Sequence, residues 1–424
     1  MTLALLGIAI AVLLHLRVPV AFAFLGPSLV YMATIGQSTG MSLRHVTNAA
    51  ASFPLLAVPL FVLLGTLANH AGIAERFFRF ALALLVRVRG GLGYVSIGTS
   101  LAFSWMSGSA VADAAALGKV QIPAMLRHGY TRRFATGVSA SSSLVAPVMP
   151  PSIPAVIFAG LAAVSTGALF AASVVPALAI TVGLCIVVYI LVRRRETVET
   201  GAFDAAELRE SAKGVLLPML APVIILGGIL GGLFTPTEAA AVGVVFIIIV
   251  GVLQRSLSLR GFLTAVTEAV TTTAGIMLIV STAALLGYIL ARERLPQMLT
   301  EVALSTTSSP VMFLVLAALM MLLLGTVIDA TAILVLVVPI LLPIAAQYGV
   351  DPIVMGVVLI LALMIGLLTP PVGTVLFVTA AVSGTRIGEV FRGTLPFIVP
   401  LLVIVLTVIL FPSLVLWLPG VLGL

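Results

Sequence analysis

An all-α polytopic membrane protein built from two copies of one helical unit is the fold the sequence predicts. Three observations carry it: an apolar composition, long unbroken apolar runs, and a broken-helix motif written twice. Hydrophobic residues make up 61% of the 424 and charged residues 8%, with a mean hydropathy of +1.30. That leaves too little polar surface to coat a soluble particle of this size, so the chain uses lipid as its solvent. The runs are continuously apolar, whereas a lipid-facing barrel needs alternation in segments of about ten residues; helices are therefore the spanning element.

Apolar stretches of spanning length, or fragments of them, fall at residues 3–16, 18–35, 53–69, 92–117, 134–161, 168–192, 215–234, 239–253, 270–290, 311–328, 330–346, 353–368, 372–382 and 395–418. Several are too short or too punctuated to cross, which predicts about ten to twelve crossings plus re-entrant hairpins. The first run has neither a basic region before it nor a small-residue cleavage site after it, and is expected to be a retained first helix.

The net charge of +7 invites a nucleic-acid reading, but 19 Arg and two Lys sit mostly in short clusters at segment ends and form no stripe. These clusters are Arg76/Arg79/Arg87/Arg89, Lys119/Arg127/Arg132/Arg133, Arg193-Arg194-Arg195 with Arg209 and Lys213, Arg255/Arg260, Arg292/Arg294 and Arg386/Arg392. They read as topology determinants, and the stretch 193–213, which also holds Glu196, Glu199, Asp204, Glu207 and Glu210, reads as a cytoplasmic connector between two halves. The expected organisation is one membrane-embedded unit over 1–424, with a first repeat near 46–165 and a second near 265–385.

The repeated motif is an apolar helix broken at a small-residue tip, then an acid, then Pro, then a second break at Pro-Pro. The first copy is Ser107-Gly108-Ser109, Asp113, Pro123 and Pro150-Pro151; the second is Gly325-Thr326, Asp329, Pro339, Pro343 and Pro370-Pro371. Asp to Pro is ten residues in both, and Asp to Pro-Pro is 37 against 41. Paired interrupted helices at matching places of two halves are the sequence pointer to a transporter's substrate and ion site.

At the first tip, Gly108 between two serines lets a helix stop and exposes carbonyls and amides that must find partners in protein or a wet cavity. Freed carbonyls with the Ser107 and Ser109 hydroxyls suit a sodium ion, and the amide end of a half-helix suits a substrate carboxylate. The bland alternative is a kinked helix with serine bonded to its own turn. Asp113 and Asp329 need a reason to lie in an apolar segment, since an ionised side chain near the bilayer centre costs about 2.5–3.5 kcal/mol. They draw in a cation, hold a hairpin tip by accepting backbone amides, or cap a short helix near the interface. Pro150-Pro151 and Pro370-Pro371 each remove two consecutive amide donors, leaving carbonyls beside the Ser152, Thr369 and Thr374 hydroxyls, with Gly373 in the second break. A third polar break, Gly231 to Ala241, reads as structural, with Thr235 or Thr237 capping a helix and Glu238 in its first turn.

A single Cys185 excludes an internal disulfide, and His15, His45, His70 and His128 lack ligand spacing, so no metal site is expected. There is no nucleotide-binding loop and no nucleophile motif, so transport energy is expected to come from an ion gradient and no enzyme activity is expected.

Ser107-Gly108-Ser109 with Asp113, Ile122-Pro123 with Gly129-Tyr130, Pro150-Pro151-Ser152-Ile153, Phe234 to Ala239 and Thr369 to Gly373, preceded by Pro54, Pro59-Leu60-Phe61 and Arg89-Gly90-Gly91, together resemble the large membrane subunit of tripartite ATP-independent periplasmic (TRAP) transporters. The resemblance spans essentially the whole chain. It implies an inverted repeat with two re-entrant hairpins and two broken helices, an elevator-type fold, and sodium-coupled uptake of small organic acids across the cytoplasmic (inner) membrane of a bacterium or archaeon. It implies no cofactor beyond sodium as coupling ion, and two protein partners: a small four-helix membrane subunit, expected as a separate polypeptide, and a periplasmic substrate-binding protein. Two other classes stay open at this point. A stand-alone ion-coupled anion carrier or antiporter shares the repeat but needs no binding protein; a membrane-embedded enzyme needs an acid, base and nucleophile that the sequence does not bring together.

Overall fold

A computed structural model of the chain describes residues 3–85, 87, 88, 90–193 and 204–424. Arg89 and, in the connector, Arg194, Arg195, Glu196 and Glu199 lie outside the described residues, as does the side chain of Pro54.

The described residues form helices and no strand. The first half opens with α1 (Leu3–His15), α2 (Val20–Thr34), α3 (Thr39–Ala50), α4 (Ala57–His70) and α5 (Ile73–Leu85). A hairpin follows, α6 (Gly91–Ser107) and α7 (Ala110–Arg127), then a helix interrupted in its middle, α8 (Arg132–Ser142) and α9 (Ile153–Ala162), and a long α10 (Thr166–Arg193). After the connector come α11 (Ala205–Leu216), α12 (Leu220–Leu230), α13 (Pro236–Leu253), α14 (Leu259–Arg292) and α15 (Leu295–Thr306). The second hairpin is α16 (Pro310–Gly325) and α17 (Ala330–Gln347), the second interrupted helix α18 (Pro352–Gly366) and α19 (Thr374–Ser383), and the chain closes with α20 (Ile387–Leu410) and α21 (Ser413–Leu422).

Among the described residues five helices are long and apolar enough to cross a membrane, α10, α13, α14, α17 and α20, or seven spans if the bent pairs α4–α5 and α11–α12 each count as one. That is fewer than the ten to twelve crossings expected, because seven further apolar helices, α1, α2, α9, α16, α18, α19 and α21, are only 10–17 residues long.

The repeat has a strict register of 220 residues. Ser109 caps α7 by accepting from Ala112 N, and Asp329, 220 residues on, caps α17 by accepting from Thr331 N; both helices are 18 residues long. Pro123 falls on Pro343, Gly129 (φ 78°) on Gly349 (φ 64°), and the α8 cap Thr131 on the α18 cap Asp351. Pro150-Pro151 falls on Pro370-Pro371, cis in both. This register corrects the pairing of Asp113 with Asp329. Serine and aspartate both offer a capping oxygen, so the acid of the second copy replaces the serine of the first, while Asp113 sits a turn inside its helix and its counterpart is Ile333. The unequal Asp to Pro-Pro spacings arise from that one-turn mismatch.

The two hairpins enter from opposite ends. Hairpin 1 has its base beside the end of α10, where Gly90 lies against Val192, and α5 packs on both its helices. Hairpin 2 has its base at the far end of α14, where α15 packs on α17. At about 1.5 Å per residue, the 34-residue α14 spans the ~50 Å between the two ends. The second helix of each hairpin packs on the half-helix of the other repeat, α7 on α19 and α17 on α9, so the repeats interlock. The core runs through α18, where every residue from Val354 to Gly366 is buried.

Candidate substrate and ion site

α6 stops at the first tip because Gly108 turns left-handed (φ 58°), and Ser109 starts the next helix. The tip is hooked to the first break: Gly108 O accepts from Ile153 N at 3.4 Å, and a Cβ on Gly108 would lie 3.0 Å from Pro151 O. Ser152 holds that break together, its hydroxyl donating to Pro147 O at 2.6 Å and accepting from Ala155 N at 3.2 Å to cap α9. The second tip is hooked in the same way, with Thr326 O accepting from Val372 N at 2.9 Å and Gly373 N at 3.0 Å. Each carbonyl at a hairpin tip therefore supplies an acceptor for amides released where Pro-Pro interrupts the neighbouring helix.

The remaining polar groups divide sharply. Asp113 is fully buried, accepting from Ser107 Oγ at 2.5 Å through Oδ1, while its Oδ2 has no partner. Asp329 is exposed at the second tip. Thr326 and Thr369 bond back to their own helices, to Leu323 O and Ile365 O, and Thr374 Oγ1 is buried without a partner.

Between the tips lies a cavity of about 420 Å³. Ser107 to Ala112 of hairpin 1 and Asp329 to Thr331 of hairpin 2 line it, with Pro147, Ile153 and Pro154 from the first break. The facing wall is α4, through Val62, Gly65 and Thr66, and α14, through Thr271, Thr272 and Gly275. Of the residues singled out in the sequence, Ser107, Gly108, Ser109 and Asp329 reach the cavity. Asp113, Pro150, Pro151, Ser152, Gly325, Thr326, Thr369, Pro370, Pro371, Gly373 and Thr374 stand behind it as tip and break framework. The two breaks differ: Pro150 and Pro151 are buried, Pro370 and Pro371 exposed.

Sequence reasoning missed the α4 and α14 wall. The signal was present, since Thr271-Thr272-Thr273 is a run of three hydroxyls inside an apolar helix. The third break is structural as expected: Thr235, not Thr237, caps α13 in a reciprocal capping box with Glu238.

Two re-entrant hairpins meeting over a cavity against two broken helices define a multi-pass membrane transport protein. Residues 7–414 match the family described as "Tripartite ATP-independent periplasmic transporter, DctM component". The chain is 42% identical over 410 residues to the sialic acid TRAP transporter large permease protein SiaM of Vibrio cholerae, covering 96% of each. It is 37% identical to the C4-dicarboxylate TRAP transporter large permease protein DctM of Pseudomonas aeruginosa, covering 88% of this chain and 87% of the relative. Among solved structures, the YdaH transporter of Alcanivorax borkumensis shares the fold with a TM-score of 0.60 at 15% identity, over 87% of each chain. The chain belongs to the TRAP transporter family as its large membrane subunit. It is a transport subunit of the bacterial inner membrane, not an enzyme, and it works with a small membrane subunit and a periplasmic binding protein.

Proposed function

We propose that the chain carries a small organic acid, handed over by the periplasmic binding protein, into the cell on a sodium gradient. The observation that carries this reading is the cavity of about 420 Å³ closed by both hairpin tips. Its size suits a small solute, and the hydroxyls of Thr66, Ser109, Thr271, Thr272 and Thr331, set in a mostly apolar lining, offer it hydrogen-bonding points. Both relatives named above transport carboxylates, sialic acid and C4-dicarboxylates.

Sodium enters through the chemistry of the tips. The Ser107 to Ser109 carbonyls, two of which already accept one amide each, the adjoining hydroxyls and the carboxylate of Asp113 form an oxygen-rich setting beside the cavity. Cation binding there offsets the electrostatic cost of seating an anion close by. The hairpins and broken helices then slide as one bundle against α4 and α14, with the small four-helix subunit bracing the scaffold. By the positive-inside rule the end carrying Arg127, Arg132, Arg133, Arg193 and Arg392 faces the cytoplasm, together with the connector.

The test is uptake of labelled sialic acid and labelled succinate into proteoliposomes holding this chain and its small subunit, with and without the binding protein and an inward sodium gradient. Uptake that needs both is expected. Uptake that ignores the gradient would remove sodium coupling, and uptake without the binding protein would make delivery dispensable.

A further inference from the structure

Lys119 is one of two lysines in the chain, and neither the tips nor the breaks account for it. It sits on α7, seven residues beyond Ala112, which lines the cavity. At 3.6 residues per turn the two side chains leave the helix within about 20° of each other and about 10 Å apart along its axis. The other face of α7, through Asp113, Leu117 and Gln121, is buried, whereas Lys119 is exposed. No carboxylate among the described residues lies within ion-pair distance of it.

The facing wall continues in the same direction. On α14, Thr267 and Glu268 follow one turn below the cavity residues Thr271 and Thr272, and all four are exposed. On α4, His70 lies one turn beyond the cavity residue Thr66, and its Nε2 is 3.0 Å from Glu268 Oε2. Both walls run toward the Arg-rich end: α5, which follows α4, packs on α6 and α7, and Gln254, just before α14, bonds Gly214 O of α11, which also packs on α5. Below the cavity the hairpin wall thus carries Lys119, with no ion-pair partner among the described residues, and the scaffold wall carries Glu268, held by His70.

We propose that the space between these two walls is the cytoplasmic release vestibule and that Lys119 is its substrate-contacting residue, receiving the acid group of the substrate as it leaves the cavity and travelling with the hairpin. The inference rests on the organic-acid reading above. An ammonium in a passage with low-dielectric walls raises the local concentration of an anion, and pairing of Glu268 with His70 limits repulsion from the far wall. Lysine suits a transit point because its compact charge on a flexible stem gives up a carboxylate more readily than a bidentate guanidinium does.

The experiment measures association and dissociation rates of labelled sialic acid and labelled succinate on the purified two-subunit membrane complex without binding protein, at low and at physiological ionic strength. For the unchanged chain, salt is expected to slow association. Lys119→Met should lower the association rate by about tenfold at low salt and remove the salt dependence, Lys119→Glu should lower it further, and Lys119→Arg should restore both while slowing dissociation. A merely structural role does not move the salt dependence. Wild-type rates and salt dependence in the Met and Glu variants would overturn the inference and leave the organic-acid reading intact. Failure of the unchanged chain to bind either acid would overturn the inference, while the organic-acid reading is decided separately by uptake with the binding protein present.

Discussion

Across the two-residue tip of hairpin 1, the Ser107 hydroxyl donates to Asp113 Oδ1 at 2.5 Å, tying the last turn of α6 to the start of α7. Hairpin 2 has no such latch. The counterpart of Asp113 is Ile333, and the acid of that hairpin, Asp329, caps the helix instead. The hairpins share a backbone plan but not an interior, and only the first encloses a carboxylate. A buried carboxylate with a free oxygen is a strong acceptor awaiting a cation or a proton.

The latch should therefore matter for coupling more than for folding. Ser107→Ala leaves Asp113 Oδ1 without its hydroxyl, a loss of about 1–3 kcal/mol for a buried acceptor. Asp113→Asn keeps the shape and removes the charge. Both variants are expected to reach the membrane in normal amount, to take up substrate at least about tenfold more slowly, and to need more sodium for half-maximal uptake. The check is initial uptake against sodium concentration in proteoliposomes; an unchanged sodium curve in both would separate the latch from the ion site.

The α4 wall meets the first tip at Gly65, where an added Cβ would lie 3.1 Å from Met106 O and 3.2 Å from Ser107 Cα. If the hairpin bundle slides past α4, a bulky residue here acts as a wedge. Gly65→Leu is expected to cut uptake by at least about tenfold, since overpacking of about 1–3 kcal/mol falls on the contact that has to move. Gly65→Ala, which needs a shift of a few tenths of an ångström, should keep most of the rate. Co-purification with the small subunit tells a jammed carrier from an unfolded one, and full uptake by the leucine variant would place the sliding surface elsewhere.

Asp329 offers a separation of charge from capping. Its Oδ1 accepts from Thr331 N at 2.9 Å, a role that asparagine and serine also perform. Asp329→Asn and Asp329→Ser should melt within error of the parent, and Asp329→Ala should lose about 1 kcal/mol. Thermal unfolding in detergent reads this directly. Equal melting of all three would show that the second tip does not depend on its cap.

How much of this was legible in the sequence follows from what each signal encodes. Pro-Pro and Gly flanked by Ser act on the backbone they occupy, so the tips and breaks could be read locally and lie where residues 107–109, 150–152 and 369–373 placed them. Register was harder, because matching like with like paired Asp113 with Asp329, whereas the fold matches cap with cap and equates Asp329 with Ser109. The scaffold wall was not read at all. Thr66 and Thr271 are far apart in the chain and meet across the cavity only through packing of α4 on α14, which no local pattern records. The hook between Thr326 O and the amides of Val372 and Gly373 was invisible for the same reason: it joins two breaks, each of which looks complete by itself.

The crossing of α8 and α20 brings backbone directly against backbone. A Cβ on Gly137 would lie 2.3 Å from Gly393 O, and one on Gly393 would lie 2.2 Å from Arg133 O, so each glycine admits the backbone of the opposing helix. Arg133 adds a fork there, its Nε and Nη2 donating to Arg392 O at 3.0 and 2.9 Å. Close backbone approach through small residues is how helices associate in lipid, where burial of apolar surface gives little drive. Backbone atoms cannot step aside as a side-chain end can, so Gly137→Ala and Gly393→Ala should each cost about 1–3 kcal/mol or more. Gly98→Ala in α6, with nothing within 4 Å of its added Cβ, is the matched control and should be neutral. The measurement is the melting midpoint and membrane yield of the three variants. Lower values for the first two and none for the third are expected; three equal midpoints would mean that α8 and α20 stand further apart than described.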